Sequence, residues 1–291
     1  MRNVLLIICA AFLRSQDHKI IRSKVILLMI LSLMILPLIS GCGGEQSSDR
    51  SNEAKDVKKI VIGLDDFAPM GFRDEHGEIV GFDIDLAKEA ARRMGVEPEF
   101  KIISWDSKNM EVIFGHIDMI WNGLDITPEG QKDMIFTRPY MDNRQIFLVK
   151  KGNPQEIYSV DDLAGKNVGT QSGSNSETYI DQNAELRDTF AEFKTYSTIN
   201  EEFAALNNDE IDVLIIDEIA ARYEVNKHRD AFEIVDTTIG SVTEFGIGFR
   251  RGNTELRDKV QKVFDEMIAD GTARKISEKW FQADLIKSPR G

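Results

Sequence analysis

Short apolar runs alternate with amphipathic stretches through the first half of the chain. The runs at 58–64, 100–103 and 117–121 are typical of buried strands. Between them, Leu86, Ala87, Ala90, Ala91 and Met94 recur at helical spacing, and Gly95 follows as a C-terminal cap. A further short helix is predicted at 108–115. Strands and helices that alternate at this spacing predict a parallel α/β sheet.

The same alternation restarts near residue 146. Strands are predicted at 146–149, 168–170, 213–216 and 245–249. Helices are predicted at 200–207, 218–226, 256–269 and 273–281. The pattern therefore predicts two α/β lobes, with a ligand between them at the carboxyl ends of the strands.

The N-terminal segment has the layout of a secretory signal. Arg22 and Lys24 precede an apolar run at 25–36, which is shorter than the roughly 20 residues that span a bilayer. Ile-Ser-Gly-Cys, ending at Cys42, resembles a bacterial lipobox, in which the cysteine thiol is acylated, for example with palmitate. We therefore expect a signal peptide at 1–41, a flexible tether at 42–56 and a lipid anchor on the extracytoplasmic face of the cell membrane.

Composition excludes several functional classes. The net charge of −13 and the lack of a basic stripe argue against nucleic-acid binding. Cys9 would leave with the signal peptide, so the mature chain can form no internal disulfide. The four histidines lack metal-ligand spacing, and no nucleotide or hydrolase motif is present, so we expect no cofactor, no metal and no catalytic residue.

Polar and aromatic residues follow the predicted strands in both lobes. Taken singly, each is more often a turn former or a helix cap, as we expect for Asp83 and Asp85 at the start of a helix. Taken together, strand ends from two lobes would bring them into one cleft. The candidate ligand-binding residues are Asp65, Phe67, Trp105, Gly123, Asp125, Gln171, Asn175 and Asp217.

Seven segments in succession resemble one known family, the bacterial polar amino-acid solute-binding proteins (extracellular solute-binding proteins, family 3). The segments are GFDIDLAKEAARRMG, IDMIWNGLDITPE, FTRPYMDNRQIFLVKKG, LAGKNVGTQSGS, IDVLIIDE, FGIGFRRGN and GTARKISEKWF. The resemblance implies a two-lobed periplasmic-binding-protein type II (Venus flytrap) fold, each lobe a mostly parallel sheet flanked by helices. Lobe 1 would take 57–143 and 242–287, lobe 2 would take 148–238, and crossings would lie near 144–147 and 239–241.

The resemblance also implies a function and residue roles. The protein would be a monomeric receptor of an ABC importer, presenting an amino acid or related nitrogenous solute to permease subunits. Asp217 and the Gly123 carbonyl would hold the α-amino group, and Phe67 and Trp105 would sandwich the ligand. Asp65 would read the ligand's side chain, while Gln171 and Asn175 would lie on a ligand-facing turn of lobe 2.

One motif departs from the family's pattern, G-x-T-x-T-x-x-R, whose first Thr and Arg hold the ligand's α-carboxylate. Here Asp125 and Gly130 take their places, which predicts poor binding of ligands whose only strong handle is that carboxylate. Three interpretations stay open: another arginine (Arg138, Arg144 or Arg73) fills in; the ligand is a cationic amine without a carboxylate; or the site has decayed or serves a sensor. An enzyme on the same fold, such as a cyclohexadienyl dehydratase, is a further alternative.

Overall fold

The computed structural model describes residues 58–288. The predicted signal peptide, the lipidation site Cys42 and all of the tether lie outside the described residues.

The first lobe is built on a five-stranded sheet with the strand order β4-β1-β5-β12-β6. β1 runs parallel to β4 and β5, whereas β12 runs antiparallel to β5 and β6. The bounds are β1 Lys59–Leu64, β4 Glu97–Ile102, β5 Met119–Ile120, β6 Met134–Phe136 and β12 Gly248–Arg250, with a separate hairpin of β2 Phe72–Arg73 and β3 Ile79–Val80.

Helices of the first lobe bury one apolar face against this sheet. In α1 (Phe82–Met94) the buried positions include Leu86, Ala87, Ala90 and Ala91, as the helical spacing predicts, and Gly95 ends the helix in the left-handed conformation at φ 68°. The other helices of this lobe are α2 Lys108–Ile113, α3 Gly130–Asp133, α8 Thr254–Ala269 and α9 Thr272–Phe281.

The second lobe is built on another five-stranded sheet, with the order β11-β7-β10-β8-β9. The bounds are β7 Met141–Lys150, β8 Asn167–Gln171, β9 Glu192–Tyr196, β10 Val213–Asp217 and β11 Phe232–Phe245. Its helices are α4 Asn175–Gln182, α5 Ala184–Arg187, α6 Ile199–Asn207 and α7 Glu218–Lys227. Residues 213–216 of β10 are fully buried, which agrees with their continuous apolar sequence.

The two-lobed α/β architecture agrees with the sequence-based prediction, but the sheets are more mixed than expected. Each has two parallel and two antiparallel neighbouring pairs rather than a mostly parallel arrangement. In the second sheet the antiparallel pairs involve β7, along which the chain leaves lobe 1, and β11, along which it returns. In the first sheet both antiparallel pairs involve β12. Both predicted crossings lie inside these two long strands.

β11 also corrects a predicted boundary. The single strand expected at 245–249 is divided between the end of β11 and β12. None of the helices in the described part of the chain is long and apolar enough to cross a membrane.

Candidate ligand-binding cleft between the lobes

Carboxylates from both lobes meet at the strand ends that face the cleft. Asp65 follows β1, and its Oδ1 accepts a hydrogen bond from Asn122 Nδ2 at 2.9 Å. Its Oδ2 accepts one from Gln171 Nε2 at 2.5 Å, and Gln171 is the last residue of β8 in the other lobe. The two predicted residues Asp65 and Gln171 thus join the lobes directly.

A second carboxylate pair is bridged by an asparagine that sequence analysis did not single out. Asn143 of β7 donates through Nδ2 to Asp217 Oδ1 and to Asp125, at 3.2 Å from Asp125 Oδ1. Asp217 also accepts from Gln145 Nε2 at 2.6 Å, and Asp125 accepts from the Thr243 hydroxyl. Because every donor here is neutral, two acids share this part of the cleft without a direct cation partner.

Burial raises the pKa values of these acids. The pKa of Asp65 rises to about 6, and that of Asp125 to about 8, with the nearby Asp217 as the second cause. Burial raises the pKa of Asp217 too. Glu202 on α6, which is only 1% exposed, has its pKa raised well above the usual range by burial and by Asp217. Such a site gains from a positive charge, which would let the carboxyl groups ionise.

Phe67, one of the two aromatic candidates, packs against the turn that carries Gly123. Gly123 has φ +62°, and a Cβ there would lie 2.7 Å from Phe67 Cε1, so only glycine fits. The Gly123 amide donates to Asp83 Oδ2 at 2.7 Å, and Asp83 also accepts from Tyr140 Oη at 2.8 Å. Asp83 is fully buried and therefore holds the turn through these two hydrogen bonds.

A partly buried cation, Lys108, lies in the cleft, and sequence analysis did not single it out. Lys108 begins α2, and its Nζ donates to Gly173 O of the other lobe at 2.7 Å and to Trp105 O at 3.2 Å. The ammonium also lies 4.9 Å from the centre of the Trp105 ring. Burial lowers the pKa of Lys108 to about 8, against the opposing effect of Asp65 and Asp125. It is therefore mostly charged at neutral pH.

Lys108 borders a cavity of about 120 Å³ between the lobes. The cavity has room for a group of several heavy atoms. Three predicted residues line it, together with Gly130, the position that departs from the family motif. The lining residues are Trp105, Lys108, Asn109, Leu124, Asp125, Thr127, Glu129, Gly130, Met134, Gly173, Asn175 and Thr178.

The three arginines considered as replacement anchors have other partners. Arg138 pairs with Asp265 on α8, and Arg144 makes a two-pronged contact with Glu218 at 2.5 and 2.8 Å. Arg73 is exposed and donates to Gly77 O at 3.0 Å. Within residues 58–288, the contacts described for these three arginines involve none of the eight candidate residues. Whether one of them replaces the family's anchor stays a prediction.

All eight candidate residues lie at the interface of the lobes or beside the turn that borders it. Trp105, Asp125 and Asn175 line the cavity, and the remaining five form the hydrogen-bonded and packed groups around it. Lys108 could have been found from its position, because a lysine at the first residue of a helix opposes the helix dipole and so costs stability. Asn143 gave no comparable signal. Among residues 58–288, no group of three His, Cys, Asp or Glu side chains is placed to hold a metal ion.

The model of one protein family, described as bacterial extracellular solute-binding proteins, family 3, matches residues 60–283. The chain belongs to this family. The L-cystine-binding protein TcyJ of Escherichia coli K12 is 31% identical over 261 residues, covering 89% of this chain and 96% of TcyJ. The arginine-binding extracellular protein ArtP of Bacillus subtilis 168 is 30% identical over 263 residues, covering 89% of this chain and 98% of ArtP.

Solved structures of similar proteins have the same fold. A substrate-binding protein of an ABC uptake transporter from Streptococcus pneumoniae, with bound histidine, superposes with a TM-score of 0.75 at 35% identity, covering 79% of this chain and 95% of that one. An ancestral arginine-binding protein bound to arginine gives a TM-score of 0.71 at 39% identity, covering 77% and 98%. The predicted type II periplasmic-binding-protein fold is confirmed, and the chain is a solute-binding protein.

Proposed function

We propose that this chain is the extracytoplasmic receptor of an ABC importer and binds an amino acid in the cleft between its lobes. The observation that carries the proposal is the pair of carboxyl groups, Asp125 and Asp217, bridged by Asn143 at the facing strand ends. A ligand ammonium group placed there supplies the positive charge that the buried acids lack. The relatives named for cystine and arginine, and the structure with bound histidine, support an amino acid as the ligand.

The third carboxylate favours a ligand whose side chain is polar or positively charged. Asp65 is 8% exposed and reaches across the cleft to Gln171, which a ligand side chain would displace. A positively charged side chain would compensate for the desolvation of Asp65. Arginine, histidine and cystine are therefore the first ligands to examine.

A thermal-shift panel tests the proposal. The panel contains the common amino acids and cystine, with agmatine, histamine and cystamine as amines that lack the carboxylate. A ligand that binds only the folded protein raises its melting temperature by mass action. At a free ligand concentration of a hundred times Kd, the free energy of unfolding increases by about 2.7 kcal/mol. We expect an amino acid with a polar or cationic side chain to give the largest shift. A panel in which no amino acid shifts the melting temperature would contradict the proposal, and shifts with amines alone would favour a carboxylate-free ligand.

We further propose that the protein is anchored by lipid at Cys42, with permease subunits as its partners. The lipobox-like Ile-Ser-Gly-Cys and the apolar run before it support the anchor. Wild-type protein should partition with the membrane fraction and carry acyl chains on intact-mass spectrometry. Cys42→Ala should lose both properties, and an unmodified wild-type Cys42 would refute the anchor.

We also propose that the protein acts as a receptor and not as a catalyst. The family description and the named relatives support this, since all are solute-binding proteins. The ligand should be recovered unchanged after prolonged incubation with the protein, as followed by mass spectrometry. A new product that forms in proportion to protein concentration would reverse this assignment.

A further inference from the structure

The Lys108 ammonium lines the cavity between the lobes and has one N–H donor more than the two that its hydrogen bonds use. An ammonium group has three N–H donors, and the carbonyls of Gly173 and Trp105 accept two hydrogen bonds from it. The Lys108 side chain is partly buried, and both carbonyls are neutral. A desolvated ammonium is stabilised far more by an anionic partner than by neutral carbonyls.

A second donor lines the same cavity. Asn175 Nδ2 is shielded from solvent and has no hydrogen-bond partner within residues 58–288. An unpaired buried donor costs about 1–3 kcal/mol, so this amide has a reason to meet an acceptor from outside the chain. Thr127 Oγ1 accepts from the Gly130 amide at 2.9 Å, which leaves its hydroxyl hydrogen able to donate as well.

The acidic side chains around the cavity leave the donors of Lys108, Asn175 and Thr127 able to bind an anion. The oxygens of Asp125 accept hydrogen bonds from Asn143 and Thr243. In the proposed function this acid lies beside the ligand's ammonium group, which would offset its charge. Glu129 also lines the cavity, but its side chain is 57% exposed and points its carboxylate near Lys132. Asp65, Asp106 and Glu177 also act on the Lys108 ammonium, but they are not among the residues that line the cavity. Among residues 58–288, the lining therefore has several hydrogen-bond donors and one cation, Lys108.

From this arrangement we propose that Lys108 Nζ and Asn175 Nδ2 bind the carboxylate of the amino-acid ligand, with Lys108 as the residue that selects amino acids over the corresponding amines. The inference rests on the proposed function, because it assigns the carboxylate of the proposed amino-acid ligand to Lys108. It is opposed to the sequence-based expectation that Asp125 and Gly130 make the cleft disfavour an α-carboxylate. The two make opposite predictions for an amino acid and its decarboxylated amine.

The test compares three matched pairs by calorimetry on the purified full chain: L-arginine with agmatine, L-histidine with histamine, and L-cystine with cystamine. Wild type should bind the amino acid of at least one pair more than tenfold more tightly than its amine. Lys108→Met should weaken binding of that amino acid by about 30-fold or more, as expected when a buried charge pair loses one member. It should change the affinity for the amine less than threefold.

The selectivity ratio, which is the affinity for the amino acid divided by the affinity for its amine, shows whether Lys108 binds the carboxylate or has a purely structural role. Loss of the contact from Lys108 to Gly173 would weaken closure of the lobes, and so would reduce the affinities for amino acid and amine alike. Lys108→Arg should keep much of the ratio because it keeps the charge. Lys262→Met, at an exposed lysine of α8 that does not line this cavity, is the control and should leave both affinities as in wild type.

Asn175→Ala provides a second route if Lys108→Met does not fold, and it should also lower the ratio of amino-acid to amine affinity. A ratio that stays at the wild-type value in Lys108→Met, or in Asn175→Ala where the lysine variant is unfolded, overturns the inference and leaves the proposed function in place. If wild type binds none of the six compounds and no other amino acid, both the proposed function and the inference fail.

Discussion

At the scale of single residues, burial raises the pKa values of the acids in the cleft. Asp125 lies between Asn143 and Thr243, close to a second buried acid, Asp217, and its pKa is about 8. The unfolded chain releases this proton near pH 4, whereas the folded chain keeps it until about pH 8. Over that window the folded state binds more protons, so Asp125 lowers the stability of the fold progressively as pH rises.

Asp125→Asn removes this titration while it keeps the shape of the side chain. We expect the stability of the variant relative to wild type to grow by about 1–3 kcal/mol between pH 5 and pH 8.5. Thermal unfolding of both proteins across this range measures the difference. A gap that stays constant with pH would show that Asp125 is ionised in the folded protein at neutral pH.

The candidate residues also show how far single positions can be interpreted from sequence. Asp65, Asp125 and Asp217 were predictable because each follows a strongly apolar strand. The link from Asn143 to two of them was not, because it depends on how β7 of one lobe passes the turn of the other. Whether these residues contact a ligand stays a prediction, which the variants above test.

At the scale of elements, the turn after β5 depends on α1 beneath it. Asp83 is fully buried, and its Oδ2 accepts from the Gly123 amide and from Tyr140 Oη. The sequence pattern indicated only a favourable acid at a helix N-terminus. In the structure Asp83 also holds Gly123, whose carbonyl is predicted to face the ligand, by accepting a hydrogen bond from the Gly123 amide.

Asp83→Ala would leave two buried donors without an acceptor, and we expect it to lower the free energy of unfolding by about 2–4 kcal/mol. Asp83→Asn keeps one acceptor oxygen and should cost clearly less. Urea denaturation of the two variants and wild type checks the order. Equal stability of wild type and Asp83→Ala would mean that water replaces the carboxylate and that the turn does not depend on it.

The longest strand of the described chain, β11, was predicted as a strand only at its last residue, Phe245. Its residues Asp236 to Thr243 are mostly polar, and much of the strand is partly or fully exposed. An edge strand of this kind has neither a continuous apolar run nor strict alternation, so periodicity does not reveal it. The buried strands and the long amphipathic helices were predictable because they do have a continuous apolar run or a helical period of apolar residues.

At the scale of the whole molecule, the two lobes meet through polar contacts and through an aromatic contact between Phe72 and Tyr223. Gln171 with Asp65, and Lys108 with Gly173, join the lobes, and β7 and β11 carry the chain between them. A ligand that enters the cleft must exchange its own groups for some of these contacts. Binding and closure of the lobes are therefore expected to be coupled.

The two-lobed organisation could be predicted from the restart of the strand–helix pattern near residue 146. The order of strands could not, because β12 and α8 return to the first lobe from the end of the chain. Such long-range pairings leave no local trace in the sequence.

The central claim is that an amino acid binds between the lobes through its ammonium group. The most direct measurement is calorimetric titration of wild type and Asp217→Ala with L-arginine, L-histidine and L-cystine. We predict one-to-one binding of at least one of them to wild type, and a loss of about 2–5 kcal/mol of binding free energy in the variant, because truncation leaves the ligand cation without its buried partner. Unchanged affinity in Asp217→Ala would contradict the account, since the ligand would then be held elsewhere.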